Sequence, residues 1–373
     1  MSRRVLHLIP SLAGGGAERQ LALLAPAIAA LGIDVHVGLL SGGTHLQRLD
    51  ASGVTVHTLP SRGHYDPALA WDIRRLTRTT GAGVVQTWLP LMDVWGGIGA
   101  RLARRAWVLS ERSVATAYVG SARYRARERV GRLADVVVAN SAAGASYWRE
   151  CGMPATRCIV VPNAVSVADV DRAQIPPDLD ALTGGRPLVL AVGRLSEEKN
   201  AARLIEALAL AAPQAEFVAL LCGEGPLDER LRAQIAARGL SERVQLAGFR
   251  DDVWGLMKGA AMLVSVSHFE GRPNAVLEAM AAGCPLVVSD IPAHREFLDP
   301  QTARFVPTGD AVAIAAAIVE QLASPEAARR RARGARAAID SFDTAMMAAR
   351  YLALYDGLME RRARGNKIVE AAT

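Results

Sequence analysis

Twice along the chain, short apolar runs alternate with amphipathic helical stretches, and this alternation narrows the possible folds more than any other feature. In residues 1–165 the runs are Val5–Ile9, Val35–Leu40, Val54–Leu59, Val84–Thr87, Trp107–Ser110, Val136–Ala139 and Ile159–Val161. Helical spacing fits Ala17–Leu31, Pro67–Thr79, Asp93–Arg104, Ala122–Leu133 and Ala142–Cys151 between them. Continuous apolar runs suit strands buried on both faces, and a strand–helix repeat predicts a doubly wound parallel sheet of the α/β class. The pattern resumes with strands at Leu188–Val192, Phe217–Cys222, Val244–Ala247, Ala261–Val266 and Leu286–Ser289. Helices fit at Asn200–Leu210, Leu227–Arg238, Pro273–Ala282 and Ala311–Leu322. Residues 166–187 are polar, with prolines and a Gly-Gly pair, and read as a linker. The expected domains are therefore 1–165 and 188–340. The tail 341–373 follows as a helix, with Met346, Tyr351, Leu354 and Leu358 at helical spacing, long enough to reach back to the first domain.

Composition excludes several classes. At 373 residues the chain exceeds one ordinary core, and 51% hydrophobic with 21% charged residues argues against disorder. Cys151, Cys158, Cys222 and Cys284 form no CxxC pair and read as small buried residues in a reducing compartment. No apolar run reaches the roughly 18 residues needed to span a bilayer. The start MSRRVLHLIPSLAGGG has too short an apolar piece for a signal peptide and reads as a first strand and loop. The expected location is cytoplasmic, or peripheral on the inner face of a membrane. Charge is uneven: residues 1–165 hold nineteen arginines against ten carboxylates, and nine of those arginines fall in Arg101–Arg132. Such a stretch is a solvated helical face, an anionic membrane contact or a site for a phosphate-bearing acceptor. Base-stacking aromatics are sparse there, so nucleic acid is not expected.

Three loops carry chemistry. Ser265 to Asp290, SVSHFEGRPNAVLEAMAAGCPLVVSD, reads as strand, loop, helix, turn and strand. Gly271 loosens the loop, Pro273 suits a helix start, and the N–H groups of Asn274, Ala275 and Val276 offer an anion site at the strand's C-terminal end. Glu270 lies just before this helix and Glu278 about a turn and a half inside it. A ligand with both phosphate and hydroxyls, such as a nucleotide sugar, suits that combination. The second loop, AVGRLSEEKN (191–200), places Arg194 and Lys199 at strand ends. Only three lysines stand against 40 arginines in the chain, so a lysine here points to a wanted compact charge. The third loop, SLAGGGAERQ (11–20), sets Gly15 and Gly16 before a helix, where backbone can approach a phosphate. Arg19 stands where a dinucleotide fingerprint needs its last glycine, which disfavours a nicotinamide enzyme. Asp169 and Asp171 have DxD spacing but lie in the expected linker, and the seven histidines show no metal-ligand spacing, so no metal is expected.

Over nearly its full length the chain resembles the family-4 (group 1) retaining glycosyltransferases. The likeness rests on GGGAER (14–19), VVVANSAA (136–143), VVPNAV (160–165), VGRLSEEKN (192–200) and FEGRPNAVLEAMAAGCPLVVSD (269–290), in order. CGEGP (222–226) and LAGFRDD (246–252) add to it. The last long stretch has two glutamates separated by seven residues, as the family has. The resemblance implies the GT-B fold, two Rossmann-like domains facing a cleft, with the C-terminal helix returning to the first domain. It implies transfer of a sugar, with retention, from a UDP- or GDP-sugar to an acceptor hydroxyl in surface polysaccharide or lipid-linked glycan assembly. The donor is a substrate, and no cofactor is implied. In the implied roles Arg194 and Lys199 neutralise the leaving diphosphate. Gly15, Gly16 and the amides of Asn274, Ala275 and Val276 add hydrogen bonds. Glu270 holds the sugar, Glu278 the ribose, and Phe249 and Arg250 lie by the base. Preorganised donors of this kind are worth ~2.7–4 kcal/mol each.

The chain departs from the family at VLSERSV, where Arg112, beside Glu111, stands roughly in the place of a histidine that many members carry. Arginine cannot serve as a base at neutral pH. A contact from Arg112 to donor or acceptor phosphate is the expectation. Two other readings compete: a GT-B nucleotide-sugar epimerase, and a scaffold that binds nucleotide sugar without turnover.

Overall fold

The computed structural model describes residues 3–60, 63, 66–118 and 122–370. The chain folds as two units, Met1–Ala164 with Thr344–Thr373, and Val165–Asp343. In the first, strands β1 (Arg4–Leu8), β2 (Asp34–Leu39), β3 (Thr55–Thr58), β4 (Val84–Trp88), β5 (Ala106–Glu111), β6 (Val136–Ala139) and β7 (Cys158–Val160) form one parallel sheet. Its order is β3-β2-β1-β4-β5-β6-β7. In the second, β8 (Leu188–Val192), β9 (Val218–Cys222), β10 (Val244–Gly248), β11 (Met262–Ser265), β12 (Leu286–Ser289) and β13 (Arg304–Val306) run in the order β10-β9-β8-β11-β12-β13. Both sheets are doubly wound, with the order reversing beside β1 and β8.

The apolar runs read as strands because both faces are covered. Val5, Val35, Val37, Val84 and Val108 pack with helix Gly16–Ala30 and with Met347, Tyr351 and Tyr355 of helix Thr344–Glu370. Their neighbours Leu6, Leu8, Val85, Trp107 and Leu109 point the other way, into a cluster with Ile73, Met92 and Trp148. The second sheet repeats this alternation, with Val189, Leu221 and Val264 on one face and Leu190, Leu220 and Leu263 on the other. Full burial of each large aliphatic side chain stabilises by ~1.5–3 kcal/mol relative to exposure, which explains why the runs carry almost no charge.

The C-terminal helix returns to the first sheet, as expected. Tyr355 donates to the buried Gln86 on β4, and Arg112 donates to Tyr351 Oη at 2.8 Å and to Asn163 Oδ1 at 3.1 Å. The Arg112 guanidinium also lies 4.2 Å over the Trp88 ring.

The segment 166–187, expected to be a linker, instead carries helices Val167–Arg172 and Leu179–Thr183 within the second unit. Ser166 caps the first of them, accepting from Asp169 N, and Val170 is fully buried. One buried apolar residue in a polar stretch was too weak a signal to read. Strand β13 was also missed, because three residues give no periodicity.

The basic stretch Arg101–Arg132 is not one surface. Residues 119–121 and the Arg123 side chain lie outside the described residues. Arg127 is buried, donating from Nε to Asp93 Oδ2 at 2.7 Å and from Nη1 to Glu111 Oε2 at 2.9 Å. Tyr118 Oη (2.5 Å), Ser113 N (2.9 Å) and Trp148 Nε1 (2.8 Å) complete the shell of Glu111, and Thr87 Oγ1 donates to Asp93 at 2.7 Å. No single helix among the described residues is long and apolar enough to cross a membrane.

Candidate active site

In a doubly wound sheet, ligands bind beyond the strand C-termini where the order reverses. In the second unit that point lies between β8 and β11, and the loops following these strands are 193–200 and 266–273. They bring two of the expected residues together. Lys199 Nζ donates to Glu270 Oε1 at 2.6 Å, with both side chains mostly buried. Ser267 Oγ donates to the same oxygen at 2.8 Å, so among the described residues the two side-chain donors to this carboxylate both meet Oε1, and Oε2 keeps its acceptor capacity. A lysine ammonium has three donors, so Nζ can hold Glu270 and still donate to a phosphate oxygen.

Asn200 locks the two loops in place. It adopts a left-handed backbone, φ 58°. Its Nδ2 donates to Val266 O at 3.1 Å and to Thr308 O at 2.8 Å. In the sequence Asn200 reads only as a helix start, although asparagine's tolerance of this conformation is a signal in itself. Alanine here would lose both bonds and strain the backbone by roughly 1–2 kcal/mol, whereas glycine would lose only the bonds. Urea denaturation should rank wild type above Asn200→Gly, and Asn200→Gly above Asn200→Ala by about 1 kcal/mol. Equal stability of the two variants would refute the strain account.

The loop 193–195 rests on the CGEGP turn. Gly193 N donates to Cys222 O at 2.9 Å and Leu195 N to Glu224 O at 2.9 Å. A Cβ on Gly223 would lie 2.0 Å from Gly193 O, and one on Gly225 would lie 2.3 Å from Leu195 O. Only glycine permits this approach, so these two positions support the loop that carries Arg194 and Lys199.

Other expected residues are placed less directly. Arg194 is largely exposed and donates to Glu198 Oε1 at 2.5 Å. Burial pushes the Glu198 carboxyl up, but hydrogen bonds from Ser196 and Arg194 bring it below the usual range overall. Helix Asn274–Ala281 starts after Pro273, which carries no side-chain acceptor for the amides of Asn274, Ala275 and Val276. Gly271 is buried in the preceding loop, and Glu278 is buried within the helix. Arg250 turns to Asp252, with Nε–Oδ1 at 2.8 Å, while Phe249 is half exposed. Gly15 and Gly16 open helix Gly16–Ala30 in the first unit, where the Glu18 carboxylate folds back so closely that a Cβ on Gly15 would lie 2.4 Å from it.

Asp171, half of the DxD pair, accepts from Arg336 at 2.9 Å, and Asp169 accepts from Arg172. Among the described residues no group of three or more His, Cys, Asp or Glu side chains could hold a metal ion.

Two family models match consecutive parts of the chain: Glycosyltransferase Family 4 over residues 14–169 and Glycosyl transferases group 1 over residues 180–338. One curated relative is the N-acetylgalactosamine-N,N'-diacetylbacillosaminyl-diphospho-undecaprenol 4-alpha-N-acetylgalactosaminyltransferase of Campylobacter jejuni. It is 31% identical over 36% of this chain and 35% of its own length. Another is the lipopolysaccharide core biosynthesis glycosyltransferase LpsE of Rhizobium meliloti, 32% identical over 50% of this chain and 54% of its own. The chain thus spans a third to just over half of the length of these relatives. Among solved structures, Anabaena HepE in complex with UDP-glucose superposes with a TM-score of 0.84 at 23% identity, covering 95% of this chain and 99% of that one. That likeness establishes the fold. Two Rossmann-like parallel-sheet units, a C-terminal helix returning to the first, and both family models in sequence order place this chain in the group 1, family 4 glycosyltransferases with the GT-B fold.

Proposed function

We propose that this protein moves a sugar from a UDP- or GDP-sugar to an acceptor hydroxyl, with retention and without a metal, in assembling surface polysaccharide or lipid-linked glycan. The observation that carries this reading is the Lys199–Glu270 pair at the switch point of the second sheet. A cation joined to a carboxylate there suits a ligand that is diphosphate at one end and polyol at the other. Lys199 and Arg194 neutralise the leaving diphosphate, aided by the amides of Asn274, Ala275 and Val276 at a helix N-terminus. Glu270 accepts from the donor sugar's hydroxyls, and Gly271 lets the backbone approach. Glu278 accepts from the ribose, and Phe249 and Arg250 border the base. Gly15 and Gly16 supply further N–H groups. Charge that grows on the leaving oxygen meets donors already in place, so little reorganisation is needed during reaction.

Arg112 receives a different role from the one expected of it. Its guanidinium is engaged by Asn163, Tyr351 and the Trp88 face, which suits holding the C-terminal helix rather than binding phosphate.

The relatives support the acceptor class. The Campylobacter protein's name specifies a diphospho-undecaprenol acceptor, and LpsE is named for lipopolysaccharide core biosynthesis. The exposed arginines of Arg101–Arg132 are proposed to contact anionic membrane at the inner face, with buried Arg127 excluded. Flotation with anionic liposomes tests this; no binding at low salt would remove it. The activity is tested with a panel of UDP- and GDP-sugars and a lipid-diphosphate-linked acceptor, reading product anomeric configuration by NMR. Retention from one donor is expected, and inversion, or epimerised donor with no transfer, would contradict the proposal.

A further inference from the structure

A second line of buried groups reaches Glu270 from β12. His294, in the short helix Pro292–Arg295, is fully buried, with Nδ1 2.7 Å from Ser289 O. Ser289, also fully buried, donates from Oγ to Ser267 O at 2.8 Å. Ser267, itself 2% exposed, donates from its own Oγ to Glu270 Oε1 at 2.8 Å. The chain of contacts His294–Ser289–Ser267–Glu270 joins the C-terminal ends of β12 and β11 to the carboxylate that Lys199 holds.

The tautomer follows from the partner. A carbonyl only accepts, so Nδ1 carries the proton and Nε2 is left as a bare acceptor. Nε2 is buried with no hydrogen-bond partner among the described residues. Burial holds the imidazole below its usual range and so neutral, while Glu270 and Lys199 act on it in opposite directions. An orphaned buried acceptor costs ~1–3 kcal/mol. An aliphatic residue would avoid that cost, so the Nδ1–H bond is what the imidazole offers in return.

We infer that His294 is a positioning residue for donor-sugar recognition: its Nδ1–H fixes Ser289, Ser289 fixes Ser267, and Ser267 fixes the Glu270 carboxylate. The inference rests on the proposed nucleotide-sugar site and assigns to it a residue outside the phosphate-binding loops. By analogy with the partners that orient metal ligands, such support is expected to affect function by roughly 10–100-fold.

The test compares His294→Ala, His294→Asn and His294→Gln. Asparagine places its amide nitrogen where Nδ1 lies, whereas glutamine places its own near Nε2. Each variant is assayed for UDP and GDP affinity, donor kcat/KM and Tm. His294→Ala and His294→Gln should lose kcat/KM by about tenfold or more with nucleotide affinity little changed, and His294→Asn should recover most of the loss. Transfer by His294→Ala equal to wild type would overturn the inference. So would equal loss in all three variants tracking Tm, which marks packing alone. A wild type that binds no nucleoside diphosphate would overturn the functional reading and the inference with it, an outcome separate from the other two.

Discussion

Lys199→Ala is expected to lower sugar transfer by ~10²–10³-fold, the range seen when one preorganised donor to a developing anion is removed. Two losses combine. The leaving diphosphate loses a cation placed before reaction begins. Glu270, which accepts from Nζ at 2.6 Å, loses one of its two partners. Glu270→Gln separates these effects. It keeps the cation and the shape but removes the negative charge, so transfer should fall while nucleoside diphosphate affinity holds. Both variants should fold, since Lys199 and Glu270 lie in the segments beyond the C-terminal ends of β8 and β11 and outside the apolar core clusters. Steady-state kinetics with calorimetric nucleotide affinities checks the pair. Full activity of Lys199→Ala would remove the assigned leaving-group role.

Arg127→Met should destabilise the first unit by about 3–5 kcal/mol, the cost of breaking a buried ion pair from one side. Asp93 and Glu111 are both fully buried, and Arg127 is the cation that donates to each. Even with that cation present, burial pushes the Asp93 carboxyl up to about 6. Without it, the Asp93 carboxyl rises further above the unfolded value of about 4. The folded variant then binds more protons than the unfolded chain. That contribution to stability is fully present below pH ~4 and is lost as pH rises through the raised folded Asp93 value. Urea denaturation at several pH values reads this directly, and five of the six tryptophans lie in the first unit and report on it. A deficit that does not shrink toward acid pH would show that the carboxylates are not its source.

The two sheets were legible because parallel strands buried on both faces need unbroken apolar runs, and twelve of them stand out against an arginine-rich background. Strand β13 was not legible, having only Phe305 and Val306 to mark it. The partner arrangement was also hidden. Arg112 and Arg127 look alike as sequence, yet one ties down the C-terminal helix and the other sits between two carboxylates. Those partners are 239 and 34 residues away, and neither spacing leaves a local trace. At the candidate site, Glu270 and Lys199 were read from loops 71 residues apart, and the structure joins them. Ser267, Ser289 and His294 were passed over because a lone histidine or serine carries no pattern; their meaning lies in contacts between strand ends.

The most direct test is calorimetric titration of wild type and Lys199→Ala with UDP, GDP and NAD. A ligand that binds only the native state also stabilises it by mass action, by about 2.7 kcal/mol at a hundredfold excess over Kd, and the resulting rise in Tm gives an independent check. UDP or GDP is expected to bind the wild type, Lys199→Ala to bind it about tenfold or more weakly, in keeping with the ~1.5–3 kcal/mol of a charged hydrogen bond, and NAD not to bind. Binding of NAD alone, or of no nucleoside diphosphate at all, would contradict that expectation.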